Sequence, residues 1–217
     1  LDVTTSMRRH VDRTISGLNE YVDSVRDTPD ARLTLVTFAA PNFSGAEMKA
    51  VFVAQPVATV RRLTPADMSC HGNTPLLEAI QKTILEIEAS LGERRDIRPV
   101  LVIQTDGEEN CSRLTGPDGR TRTMTHDDIR PLIAAKEAAG WEFIFMGCGI
   151  DAYADAGKIG LRDDKIVSYG GNDEMTGSVF RSVGQMTAMY ASGASATMAF
   201  SAAQKAEAGD VYAEQKE

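Results

Sequence analysis

The chain has 217 residues, with 23 Lys and Arg against 31 Asp and Glu, giving a formal net charge of −8 and a pI near 5.0. At 42% apolar and 25% charged residues it is close to the globular average, so one well-filled core is expected; collagen-like, disordered and disulfide-scaffold classes are excluded. An acidic balance with no evident basic face also argues against sequence-independent binding to nucleic acid or anionic lipid, which needs cations to neutralise phosphate.

Leu1 to Thr4 reads as the end of a strand. Met7, Val11, Ile15, Leu18, Val22 and Val25 recur at spacings of three and four, predicting a helix over 7–25. Residues 32–39 and 49–53 are β-rich, and the Pro/Asn/Gly connection over 41–45 is short enough for a hairpin, so this pair is expected to be antiparallel. A second helix follows Pro75 through Leu76, Leu77, Ile80, Ile84, Ile87 and Leu91 and stops at Gly92. The apolar run 99–105 suits a strand buried on both faces. A polar loop over 108–125, a helix over 126–139, a buried strand over 141–146, a short helix over 152–159, a strand over 165–169 and a helix over 176–191 complete the series. Residues 1–191 form one expected domain, and 192–217 an Ala-rich tail or extra helix.

Strands alternating with helices predict an α/β three-layer sandwich, its central sheet mostly parallel with one antiparallel edge strand and helices on both faces. No apolar run approaches the roughly 20 residues of a membrane span. Cys70, Cys111 and Cys148 are odd in number and irregularly spaced, which favours reduced thiols and a cytoplasmic location. The chain opens on Leu1-Asp2-Val3 without an initiator Met, as expected of a piece of a longer protein.

In parallel sheets the functional crevice lies beyond the carboxyl ends of the strands. That edge holds Asp2, Thr4 and Ser6 in a D-x-T-x-S run, Thr74 in a loop entering a helix, and Asp106 at the tip of a buried strand. Few carboxylates with several hydroxyls suit a hard cation such as Mg²⁺, with Mn²⁺ or Ca²⁺ as alternatives; Mg²⁺ would keep open positions for an external ligand.

This run, followed by Thr74 and then Asp106, resembles the metal-ion-dependent adhesion site of von Willebrand factor type A domains, written D-x-S-x-S, then Thr, then Asp. Thr4 stands where the family's first serine falls and Thr5 where glycine is common. The stretch 141–152 is most similar to bacterial and phage members. The resemblance implies that Thr4, Ser6 and Thr74 contact the metal, that Asp2 and Asp106 act largely through water, and that a protein partner supplies an Asp or Glu carboxylate. The implied role is binding without catalysis, and no nucleophile paired with a base is visible.

The competing reading is a Mg²⁺-dependent phosphohydrolase of haloacid-dehalogenase type with Asp2 as nucleophile, although Thr4 stands where such enzymes need a second acid. Glu108 and Glu109 read as solvated loop charges, and His10 and His126 as exposed helix-start residues. A zinc site of Cys70, His71, Cys111 and Cys148 lacks paired C-x-x-C spacing. The G-x-G-x-x-A run over 147–152 fails as a dinucleotide fingerprint because Asp151 places a negative charge where phosphate would lie.

Overall fold

A computed structural model describes residues 1–43, 45–94 and 96–213. Its backbone elements are α1 (Val11–Val25), β1 (Arg32–Ala39), β2 (Glu47–Pro56), α2 (Leu76–Leu91), β3 (Val100–Thr105), β4 (Arg113–Thr115), β5 (Thr121–Thr123), α3 (His126–Ala138), β6 (Glu142–Cys148), α4 (Ala152–Lys158), β7 (Ile166–Tyr169), α5 (Asp173–Ala191) and α6 (Ala202–Glu207), alternating as the periodicities predict except that β4 and β5 form a hairpin where a polar loop was expected. A 3₁₀ turn over Thr5–His10 leads into α1, where one continuous helix was expected. The connection between β1 and β2 includes Ser44, which lies outside the described residues, as do 214–217 of the expected tail.

β3, β6 and β7 pair in parallel, while β1 and β2 pair antiparallel. The first residues join the two sets. Phe38 N–H donates to Leu1 O at 3.0 Å, Val3 N–H to Phe38 O at 3.0 Å, and Asp2 N–H to Gln104 O at 2.9 Å. The spatial order is therefore β2, β1, residues 1–3, β3, β6, β7, with β2 as the antiparallel edge. This is the expected α/β sandwich, and the Asp2 segment lies at its middle.

β6 shows why both faces are covered. Phe143 and Phe145 point into one apolar cluster with Leu76 and Ile80 of α2 and Ile129 and Ile133 of α3, while Ile144, Met146 and Cys148 point into a second with Val179, Phe180 and Val183 of α5. A period of two sends successive side chains to opposite sides, and each large apolar side chain buried this way stabilises by about 1.5–3 kcal/mol. α1 closes the second face against α5 at a close crossing: a Cβ on Gly17 would lie 2.3 Å from the Phe180 ring.

The segment after α5 is docked. Met198, Phe200 and Ala208 are buried against β6, β7 and α5, and Phe200 N–H donates to Asp164 O at 2.8 Å. The ammonium of buried Lys165 binds Glu142, the Thr197 hydroxyl and the Met198 carbonyl. Among the described residues no helix is long and apolar enough to cross a membrane.

Candidate metal centre

Three loops meet at the carboxyl edge of the sheet because the backbone ties them there. His71 N–H donates to Val3 O at 2.8 Å and Thr5 N–H to Gly72 O at 3.2 Å, joining the Asp2–Ser6 turn to the loop before α2. Gly72 has φ +67°, and a Cβ there would lie 2.4 Å from Ala40 O, so this approach requires glycine. On the other side, Thr74 N–H donates to Asn110 Oδ1 at 2.9 Å and Asn110 N–H to Thr74 O at 3.1 Å, joining the same loop to the one that follows Asp106.

Those ties bring the five predicted residues together. Thr4 Oγ1 lies 3.2 Å from Ser6 Oγ, and Ser6 Oγ donates to Asp106 Oδ1 at 2.7 Å. A Cβ on Gly107 would lie 3.1 Å from Thr74 Oγ1 and 3.9 Å from Ser6 Oγ, which places the Thr74 hydroxyl beside the same point. Asp2 stands beneath, its Oδ1 accepting from Thr4 N–H at 2.7 Å and its Oδ2 from the Thr105 hydroxyl at 2.6 Å. Asp2, Thr4, Thr74 and Asp106 are buried and Ser6 is exposed, so the pit opens past Ser6. The Thr4 hydroxyl accepts from no backbone amide in the first turn of the following helix, so it is not consumed as a cap.

The electrostatics are uneven. Burial pushes the Asp2 carboxyl above its usual range, against the opposing pull of its Thr105 and Thr4 hydrogen bonds. Asp106 Oδ2 is buried and accepts no hydrogen bond; the Arg9 guanidinium lies 3.8 Å away and the His10 ring nitrogen Nε2, itself accepting from Arg9 Nε, 3.7 Å away. Leaving a buried carboxylate oxygen unpaired costs on the order of 1–3 kcal/mol, more for a charged group, and a divalent cation would offset that. The donor set of two carboxylates and three hydroxyls fits a hard cation that retains water. Among the described residues no three His, Cys, Asp or Glu side chains cluster closely enough to hold a metal, so the Cys70, His71, Cys111 and Cys148 arrangement forms no zinc site.

Several neighbours differ from expectation. Glu109 is not a solvated charge: its Oε1 accepts from Cys111 N–H at 2.9 Å and Ser112 N–H at 2.6 Å, and its Oε2 from Leu77 N–H at 2.9 Å and the Ser112 hydroxyl at 2.6 Å. A carboxylate from a distant loop thus satisfies the free Leu77 amide at the start of α2, while the Ser112 hydroxyl it holds accepts from Glu78 N–H, and its charge favours that helix's positive end. Glu108 is exposed, as expected. His10 is buried rather than exposed, with its ring between Asp106 and Cys148 Sγ, and burial lowers its pKa. His126 is half-buried, 3.5 Å from Asp155 Oδ1. Asp151 accepts from Tyr153 N–H and Ala154 N–H at the start of α4, so a side chain already occupies the place a pyrophosphate would take. Thr105, Asn110 and Glu109 support the site although no motif marks them; the available signal is their adjacency to Asp106.

The sequence matches no protein-family model and no curated protein. Solved structures are similar in fold. The proximal thread matrix protein 1 of mussel byssus, in a structure with a zinc-occupied MIDAS motif, aligns with a TM-score of 0.56 at 16% identity over 86% of this chain and 44% of its own. The pilus adhesin SpaC of Lactobacillus rhamnosus GG, in its open conformation, aligns at 0.62 and 11% identity over 85% of this chain and 28% of its own. The fold is that of the von Willebrand factor type A class. This chain spans less than half the length of either protein.

Proposed function

We propose that this chain is a divalent-cation-dependent binding module in which Thr4, Ser6 and Thr74 hold a metal, with Asp2 and Asp106 arranged around it, and a partner's Asp or Glu carboxylate completes the coordination. The observation that carries this reading is the buried, unbonded Asp106 Oδ2 beside converging hydroxyls. Two carboxylates balance a 2+ ion. The Arg9 guanidinium then leaves the mouth of the pit favourable to an added anion. When bound, the metal supplies a Lewis-acidic position; the chain's residues orient it and keep the pit closed on all sides but one. A neighbour whose MIDAS holds zinc supports a divalent ion at this place in the fold, and Mg²⁺ is our choice from the oxygen donor set. Neighbours named as an adhesin and a matrix protein support adhesion over catalysis. Free thiols at Cys70, Cys111 and Cys148 support our assignment to the cytoplasm.

The phosphohydrolase reading is disfavoured by one feature: Asp2 is fully buried beneath Thr4 and Thr105, so its carboxylate has no open face on which to meet a phosphate from solvent. The test is an NMR titration with acetate and with a short Asp-containing peptide. Saturable shifts at the Gly107 amide are expected in Mg²⁺ and not in chelator. Identical shifts with and without metal would remove the reading.

A further inference from the structure

Two cavities among the described residues lie beside the metal centre. The first, about 300 Å³, lies between α1 and α5 and has Arg9 in its wall, the same side chain that approaches Asp106. The second, about 630 Å³ and more open, continues along the same two helices and shares Ser16, Asp173 and Gly177 with the first. Together they form one groove leading away from the pit, with small side chains along its floor.

Charge is graded along that groove. In the near cavity two guanidiniums, Arg9 and Arg13, face two carboxylates, Asp12 and Asp173. Arg13 Nε is 3.8 Å from Asp173, so that pair is loose. In the far cavity Glu20, Asp173, Glu174 and Glu207 face a single cation, Arg181, which is bound to Glu20 at 3.0 Å. Glu174 and Glu207 are exposed. With a cation in the pit, the groove runs from positive at the metal to negative about two helical turns beyond Arg13.

We propose that the partner presents an extended segment with an acidic residue at the metal and basic residues lying over Glu20, Glu174 and Glu207. This rests on the metal-centre reading above and deepens it by defining the partner's charge order. From Arg9 to Glu20 the helical path is about 16 Å, which an extended chain covers in about five residues. Arg9 stands at the junction, 71% exposed at its side chain, where it can grip the same acid that the metal takes. Charge complementarity of this kind selects partners and orients them as they dock.

The experiment uses the full chain in saturating Mg²⁺ and three synthetic peptides: Gly-Asp-(Gly-Ser)₂-Lys-Lys-Gly, its reversed sequence, and an acid-only version with Ser in place of both Lys. ¹⁵N NMR follows the Gly107 amide for the pit and the Gly177 amide for the groove. At least one of the Lys-bearing peptides is expected to bind about ten-fold more tightly than the acid-only peptide and to move both amides. The double variant Glu174→Lys with Glu207→Lys, both exposed, should erase that advantage and leave acid-only binding unchanged. Equal binding of all three peptides, or an advantage that survives in the double variant, overturns the groove proposal alone. An acid-only peptide that leaves Gly107 unmoved in Mg²⁺ overturns the metal-centre reading and the groove proposal with it.

Discussion

Asp106 and Asp210 are both carboxylates less than a tenth exposed, and each sits among hydroxyls and backbone amides. At Asp210 every acceptor is used. Oδ2 takes the Tyr153 hydroxyl at 2.7 Å and Ser168 N–H at 3.1 Å, while Oδ1 takes Tyr212 N–H at 3.2 Å and Ala213 N–H at 3.1 Å, pinning the segment after α6 to α4 and β7. At Asp106 one oxygen takes Ser6 and the other takes nothing. The two carboxylates share their burial and differ in one respect: Asp106 keeps an unspent acceptor, which the binding role proposed above would use.

The difference can be broken from either side. Asp210→Ala strips partners from a buried hydroxyl and three amides and should destabilise by about 3 kcal/mol in urea unfolding, with Mg²⁺ affinity unchanged. Asp106→Ala should do the reverse, lowering Mg²⁺ affinity by about 10–100-fold in calorimetry while leaving metal-free stability equal or slightly higher. A loss of stability at Asp106 matching that at Asp210 would mean the two carboxylates are doing the same job. Glu109→Ala, which frees the Leu77 amide at the start of α2 and the Cys111 and Ser112 amides of its own loop, should cost about 1–2 kcal/mol and shift the Thr74 amide in NMR spectra.

The smallest effect is expected at Asp128, at the start of α3. Arg122 holds its carboxyl well below the usual range, and its Oδ2 accepts from Thr125 N–H at 2.8 Å to cap α3. A depressed folded pKa contributes stability above the unfolded value of about 3.9 and loses it as pH falls through the lower folded value. Asp128→Asn should therefore be slightly less stable than the parent at neutral pH, and the gap should close as pH drops below about 4 in thermal melts. A constant gap would show that the cap, not the charge, matters.

The strands and long helices were legible because burial on both faces of β3 and β6 and on one face of α1 and α2 imposes apolar periods that short-range reading detects. The hairpin of β4 and β5 was missed: its Thr and Arg residues are mostly exposed, and a polar strand carries no such period. The five residues of the pit were legible as a motif, since Asp2, Thr4, Ser6 and Asp106 follow strand-like segments and Thr74 sits in a loop entering a helix. His10, Thr105, Asn110 and Glu109 were not. Their roles depend on contacts across tens of residues, as between Leu77 and Glu109, and local spacing does not encode such pairings.

The central claim is that the pit formed by Asp2, Thr4, Ser6, Thr74 and Asp106 holds one divalent ion and leaves it partly open. A Mn²⁺ titration read by water-proton relaxation measures both properties at once. One saturable site per chain is expected, with enhanced relaxation from waters still on the ion, displacement by Mg²⁺, and loss of the site in the double variant Ser6→Ala with Thr74→Ala. Absence of saturable Mn²⁺ binding, or binding undiminished in that variant, would contradict the account.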